Sequence, residues 1–107
     1  MIELKKENGI LMVKLSGIIA FEAAAGFSDM LEEYLEDVTT KTIVDVEDLE
    51  RICSPIIGAF LNVSKKTKII FINLHKNKPI AKLFTMLGIG WSGIFLVCKT
   101  LEEAMEI

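Results

Sequence analysis

Several things that catalysis, export or nucleic-acid binding would call for are missing from this chain of 107 residues. It has two cysteines, Cys53 and Cys98, each at the end of an apolar run and with no partner at metal-ligand spacing. That excludes a disulfide framework and fits a reducing compartment, where a free thiol behaves as a small hydrophobe. The one histidine, His75, lies in a polar loop with Asn73, Lys76, Asn77 and Lys78. No carboxylate or cysteine stands where it would complete a metal site or a triad, so His75 reads as a surface residue. No apolar run is long enough to span a membrane, since the stretch from Ile10 to Ala25 is interrupted by Lys14 and Glu22. A net charge of −3 and a pI near 5.2 argue against nucleic acid as a partner, which needs a basic face to displace counterions. There is also no linker, internal repeat or low-complexity tract. The chain therefore reads as one domain over residues 1–107, soluble and cytoplasmic, with no catalytic residue, metal or cofactor and with a protein as its partner. Its oligomeric state is left open.

What is present is a full core: 51% of the residues are hydrophobic. Ile2 to Lys6 and Ile10 to Leu15 flank Asn8-Gly9, a pair suited to the positive φ angles of a tight hairpin turn, and Gly17 closes the second strand. From Ala23 to Leu35 the period changes to three and four: Ala23, Phe27, Met30, Leu31, Tyr34 and Leu35 share one face. Glu22, Asp29, Glu32, Glu33 and Glu36 make the other face acidic. Thr42 to Val46 reads as a strand, Pro55 to Lys66 as a helix, Lys68 to Asn73 as a strand and Lys78 to Leu87 as a helix ending at Gly88. Gly93 to Cys98 reads as a strand, and Thr100-Leu101-Glu102-Glu103 has the capping-box spacing that opens a last helix. The order β-β-α-β-α-β-α-β-α, with central strands apolar on both sides, predicts a mixed α/β sheet of four to five strands flanked by four helices, the hairpin at its edge.

The most informative stretch is Ile52-Cys53-Ser54-Pro55-Ile56-Ile57-Gly58. A serine followed by proline reads as an N-cap followed by the first helical residue. The same place would suit a phosphoserine, whose charge the helix dipole and free amides stabilise, and both roles can hold at once. In the helix that follows, Ile56, Ile57, Ala59, Phe60, Leu61 and Val63 cover about 200°, more than a surface helix normally buries. Either neighbouring helices cover the remainder or it is a docking surface beside Ser54. Gly88-Ile89-Gly90-Trp91-Ser92-Gly93 matches GxGxxG, but it follows a helix and precedes a strand, the reverse of a pyrophosphate-binding turn. It reads as a helix C-cap at Gly88 and a link, with Trp91 either packed under it or exposed as an anchor. Lys65, Lys66, Lys68, Lys76, Lys78 and Lys82 give one end a basic tint opposite the acidic helix. That is either two solvated faces, or head-to-tail association or steering of a partner.

The order of elements resembles the STAS domain, the fold of bacterial anti-sigma factor antagonists, over the whole chain. The segments ENGILMVKLSG, TIVDV, IIFIN and TLEEAME each stand where that family has a counterpart. In that family the loop after the third strand commonly reads Asp-Ser-Ser-Gly. The anti-sigma factor, itself a serine kinase, phosphorylates the first serine, and the unphosphorylated form binds it and frees the sigma factor. Ser54 falls on the acceptor position, with Cys53 for the aspartate, Pro55 for the second serine and Ile56 for the glycine. Ala20, after Gly17-Ile18-Ile19, takes the place of a family acid. The resemblance implies a regulator of transcription without enzymatic activity. Its partner would be an anti-sigma factor of kinase type, or another signalling protein in an adaptor, scaffold or lipid-transport role. The expected docking surface is Ile18, Ile19, Ala20, Phe21, Cys53, Ser54, Pro55, Ile56 and Ile57.

Overall fold

The computed structural model describes residues 1–37, 39–89 and 93–107. β1 (Ile2–Glu7) and β2 (Ile10–Leu15) form the expected antiparallel hairpin, with Asn8 at φ 51° and Gly9 at φ 76° in the turn. Positive φ at both positions matches the right-handed twist of the strands, which is why Asn-Gly stands there.

Three further strands, β4 (Lys41–Asp45), β6 (Lys68–Ile72) and β7 (Phe95–Val97), complete a five-stranded sheet of order β1-β2-β4-β6-β7. β2, β4, β6 and β7 run parallel, so helices must carry each crossover, and β1 lies at the edge. β4 and β6 are buried on both faces, β6 through its apolar run Ile69–Ile72 and β4 through Ile43 and Val44: Val44, Ile69 and Phe71 face one core, and Ile43, Ile70 and Ile72 the other.

Between the hairpin and β4 the sequence pattern predicts one helix from Ala23 to Leu35, whereas the structure has two, α1 (Phe21–Ala24) and α2 (Phe27–Tyr34). The break comes at Gly26, whose backbone (φ −106°, ψ 0°) leaves the helical region just before the fully buried Phe27. α3 (Ser54–Val63) and α4 (Lys78–Met86) follow, with a short 3-10 turn at Leu74–Lys76 between β6 and α4. Gly88, at φ 75°, ends α4 in a Schellman motif: the Ile89 amide donates to Phe84 O at 3.0 Å and the Gly88 amide to Thr85 O at 3.1 Å. The Trp91 expectation lies outside the described residues. α5 (Leu101–Met105) opens on the expected Thr100 cap, with the Glu103 amide donating to Thr100 Oγ1 at 3.2 Å; the Glu103 carboxylate reaches one residue further back than a capping box has it, accepting from the Lys99 amide at 3.0 Å.

α2, α3 and α4 share one face of the sheet, over a chain of edge-to-face rings. Phe27 meets Phe60 at 5.3 Å, Phe60 meets Phe71 at 5.8 Å, and Phe71 meets Phe84 at 5.0 Å and Phe95 at 5.4 Å. Among the described residues, α5 is the helix that covers the other face, through Ala104. Lys41, 8% exposed, fastens it there by donating to the carbonyls of Ala104 at 3.2 Å and Met105 at 2.9 Å.

Two strands went unread in the sequence. β3 (Gly17–Ile18) and β5 (Leu49–Arg51) form a separate parallel pair beyond the main sheet, with Gly17 opposite Leu49 and Ile18 opposite Arg51.

Candidate functional site

The β3–β5 pair assembles the site. The Gly17 amide donates to Asp48 O at 2.9 Å and the Ile19 amide to Arg51 O at 2.8 Å, so residues 17–21 run beside the segment that leads into α3. Ile18 and Phe21, 60% and 67% exposed, thereby lie on a segment that runs beside the approach to α3, with Ala20 also exposed between them. Lys14 Nζ reaches the Asp48 carboxylate at 3.3 Å and ties β2 to the turn before β5. That hydrogen bond, with Asp45 nearby, raises the lysine above its ordinary pKa.

Ser54 is not the cap of α3. The N-cap is Cys53, whose extended backbone (φ −103°, ψ 155°) aims its carbonyl at the Ile56 amide at 3.1 Å, and no side chain caps this end. Ser54 is therefore the first helical residue and Pro55 the second, where a missing N–H costs nothing. The helix starts one position earlier than the Ser-Pro pair suggests because the backbone of Ser54 is already helical, so the extended cap conformation falls on Cys53. The Ser54 hydroxyl is exposed and hydrogen-bonds to no described residue.

On its other side Ser54 borders an apolar groove of about 410 Å³ between α3 and α4, walled by Ile52, Cys53, Ile57, Leu61, Leu83 and Leu87. The wide apolar arc of α3 is thus only partly used: Ala59, Phe60 and Val63 are buried, while Leu61 stays 44% exposed. Gly58 lines the groove too, and a Cβ built there would meet no described residue within 4 Å. Mid-helix glycine costs roughly 1 kcal/mol against alanine, and no contact among the described residues requires it.

Two residues of the expected surface belong elsewhere. Ile19 is 2% exposed and Ile56 0%, both in the main core. Helical periodicity turns Ile56 inward with Ala59, Phe60 and Val63, so these two support the surface from beneath. The lysines do not gather at one end either. Lys65, Lys66 and Lys68 follow α3 toward the start of β6, whereas Lys76 and Lys78 lie past the end of β6. Lys66 pairs with Glu32, and Lys76 with Glu47 at 3.2 Å.

In the sequence Asn77 reads as one polar residue of a loop. It is 8% exposed, its Nδ2 donates to Val46 O at 2.8 Å and Leu49 O at 2.7 Å, and its Oδ1 accepts from the Ile80 amide at 3.4 Å. One side chain thus caps α4 and bolts the 46–49 turn, which carries β5, onto it. Asn followed by Lys-Pro signals the cap. The clamp across 28 and 31 residues is tertiary and has no local signal.

His75 and Cys98 share a cavity of about 580 Å³ with Glu103, but burial, with Glu103 adding to it, pushes the Cys98 thiol up and away from the reactive thiolate. Among the described residues no three histidine, cysteine or acidic side chains could hold a metal ion. Among them, too, no helix is long and apolar enough to cross a membrane.

Similar folds occur in known structures. The anti-sigma factor antagonist SpoIIAA in its unphosphorylated form matches with a TM-score of 0.76 and 17% identity, over 99% of this chain and 94% of that one. The Bacillus cell fate determinant SpoIIAA in its phosphorylated form matches with a TM-score of 0.68 and 18% identity, over 99% and 97%. A variant of RsbS from Moorella thermoacetica matches with a TM-score of 0.74 and 12% identity, over 98% and 92%. No curated protein matches in sequence. The STAS domain family model covers residues 1–104, and with the five-stranded mixed sheet and the helix that opens at Ser54 this places the chain in the STAS domain family.

Proposed function

We propose that this chain is a regulatory binding protein of the anti-sigma factor antagonist kind, a single cytoplasmic domain without catalysis of its own. It docks on an anti-sigma factor of serine-kinase type and so releases a sigma factor. The contact surface is Ile18, Ala20 and Phe21, Ser54 with Cys53 and Pro55, and the groove wall at Ile57. Phosphate on Ser54 would bring nearly two negative charges into that apolar contact and weaken it.

The observation that carries this reading is the setting of Ser54. Its hydroxyl is exposed and has no capping duty, and it lines an open apolar groove at the start of α3, the helix whose approach runs beside the segment carrying the exposed Ile18 and Phe21. That SpoIIAA is known in phosphorylated and unphosphorylated forms on a similar fold supports it. The adaptor alternative, binding without phosphorylation, draws support from Pro55, which fixes the backbone in the first turn of α3, and from Cys53, which stands in place of an acid.

The test is a titration of the chain against a serine-kinase anti-sigma factor, followed by incubation with ATP and mass spectrometry. Binding together with one phosphate, lost in Ser54→Ala, is the expected result. Binding without phosphate leaves the adaptor, and no binding removes the antagonist reading.

A further inference from the structure

The helix face carries a charge pattern that the docking reading does not use. No acidic residue occurs between Arg51 and Thr100, and all 15 lie outside that stretch. The fold turns this segregation into geometry, because α3 stands between α2 and α4. Phe27 of α2 touches Phe60 of α3, and α3 and α4 wall the same groove. On α2, Asp29 and Glu33 point away from the buried Phe27 and Leu31; on α4, Lys78 and Lys82 point away from the buried Ile80 and Phe84. All four are exposed, and none has an ion-pair partner among the described residues. Across the face the order is therefore acidic, apolar, basic.

Such a face is complementary to itself. A two-fold axis along α3 would lay the α2 of one copy on the α4 of the other, and the reverse, with α3 against α3. The three helices all carry crossovers between parallel strands and so run in the same direction. Asp29 and Glu33 are four residues apart, as are Lys78 and Lys82, a rise of about 6 Å in each case. At the axis, no described residue comes within 4 Å of a Cβ built on Gly58 and Leu61 is exposed, the arrangement that lets two helices approach closely. Large apolar side chains left in solvent, Met86 at 75% and Leu87 at 55%, lie beside the charges.

We propose that this face pairs with a second copy of the chain in a closed two-fold dimer that covers Ser54 and the groove, making self-association and docking mutually exclusive. Only that exclusivity rests on the docking reading; the pairing stands by itself. Closed two-fold dimers are the commonest oligomers, and weak exposed charge pairs give such a contact specificity and salt sensitivity more than strength.

Sedimentation of the chain alone tests it, without any docking partner. The wild type should show a monomer–dimer equilibrium that weakens with added salt. Lys78→Glu with Lys82→Glu, and separately Asp29→Lys with Glu33→Lys, should each weaken dimerisation by about tenfold or more, since attraction becomes repulsion at both contacts. Mixing the two variants should restore the dimer, because each then offers the other complementary charges on α2 and α4; misfolding could not produce that rescue. A wild type that stays monomeric to concentrations on the order of 1 mM would overturn the proposal. So would mass growing past two chains, or a mixture that fails to dimerise.

Discussion

Removing Asn77 should be among the costliest polar changes in this protein. Asn77→Ala deletes donors to two carbonyls, at 2.8 and 2.7 Å, and the acceptor that caps α4. Each lost hydrogen bond is worth about 0.5 to 1.5 kcal/mol, and carbonyls left buried without a partner cost more. The cap adds about 0.5 to 2 kcal/mol. Together these suggest about 2 to 5 kcal/mol, a large share of the 5 to 15 kcal/mol that typically holds a domain folded. Equilibrium urea unfolding of the wild type, Asn77→Ala and Asn77→Asp reads this directly. The aspartate variant keeps the cap but turns a carboxylate toward the Val46 and Leu49 carbonyls, so its folded state favours the protonated form. The sign follows: its stability is greatest below the ordinary carboxyl pKa of about 3.9 and falls as pH rises through the higher folded value. A loss under about 1 kcal/mol in Asn77→Ala, or no pH dependence of the Asn77→Asp difference, would refute the clamp.

Ser54→Ala should change stability by no more than about 0.5 kcal/mol, because no cap is lost, and Ser54→Asp should add about 0.3 to 1 kcal/mol at the helix N-terminus; thermal melts decide. Phe60→Ala, in the middle of the ring chain, should cost about 3 to 5 kcal/mol by urea unfolding, and a smaller loss would mean that its neighbours close the gap. Cys98 should react slowly with a thiol reagent at neutral pH and speed up as pH rises past the ordinary thiol range, since burial disfavours its thiolate; fast labelling at pH 7 would contradict that.

The hairpin and the doubly buried strands were legible because their signals are local: positive φ at Asn8-Gly9, and runs such as Lys68-Ile69-Ile70-Phe71-Ile72 that have no polar face. Ser54 does not cap because a helix start is set by backbone conformation, and Ser54 is itself already helical. β3 and β5 were missed because two and three residues are too few to display a period. Ile19 and Ile56 were grouped with the surface by adjacency in sequence, although neighbouring positions on a helix or an extended segment face different ways. Asn77 was out of reach for another reason: the carbonyls it serves are brought to it only by the completed fold.

The sheet order has a kinetic consequence. Of the pairings in the main sheet only the β1–β2 hairpin is local, joined through the two residues Asn8 and Gly9. Such a unit closes in about 1 to 10 μs. Every other pairing waits for a crossover helix to bring distant strands side by side, so the chain should condense outward from the hairpin and slow down at each parallel junction. Until the last of these closes, β4 and β6, apolar on both faces, are the segments most open to pairing with strands of another molecule. Crowded refolding should therefore lose more material to aggregation than dilute refolding, even where the native state itself stays dispersed.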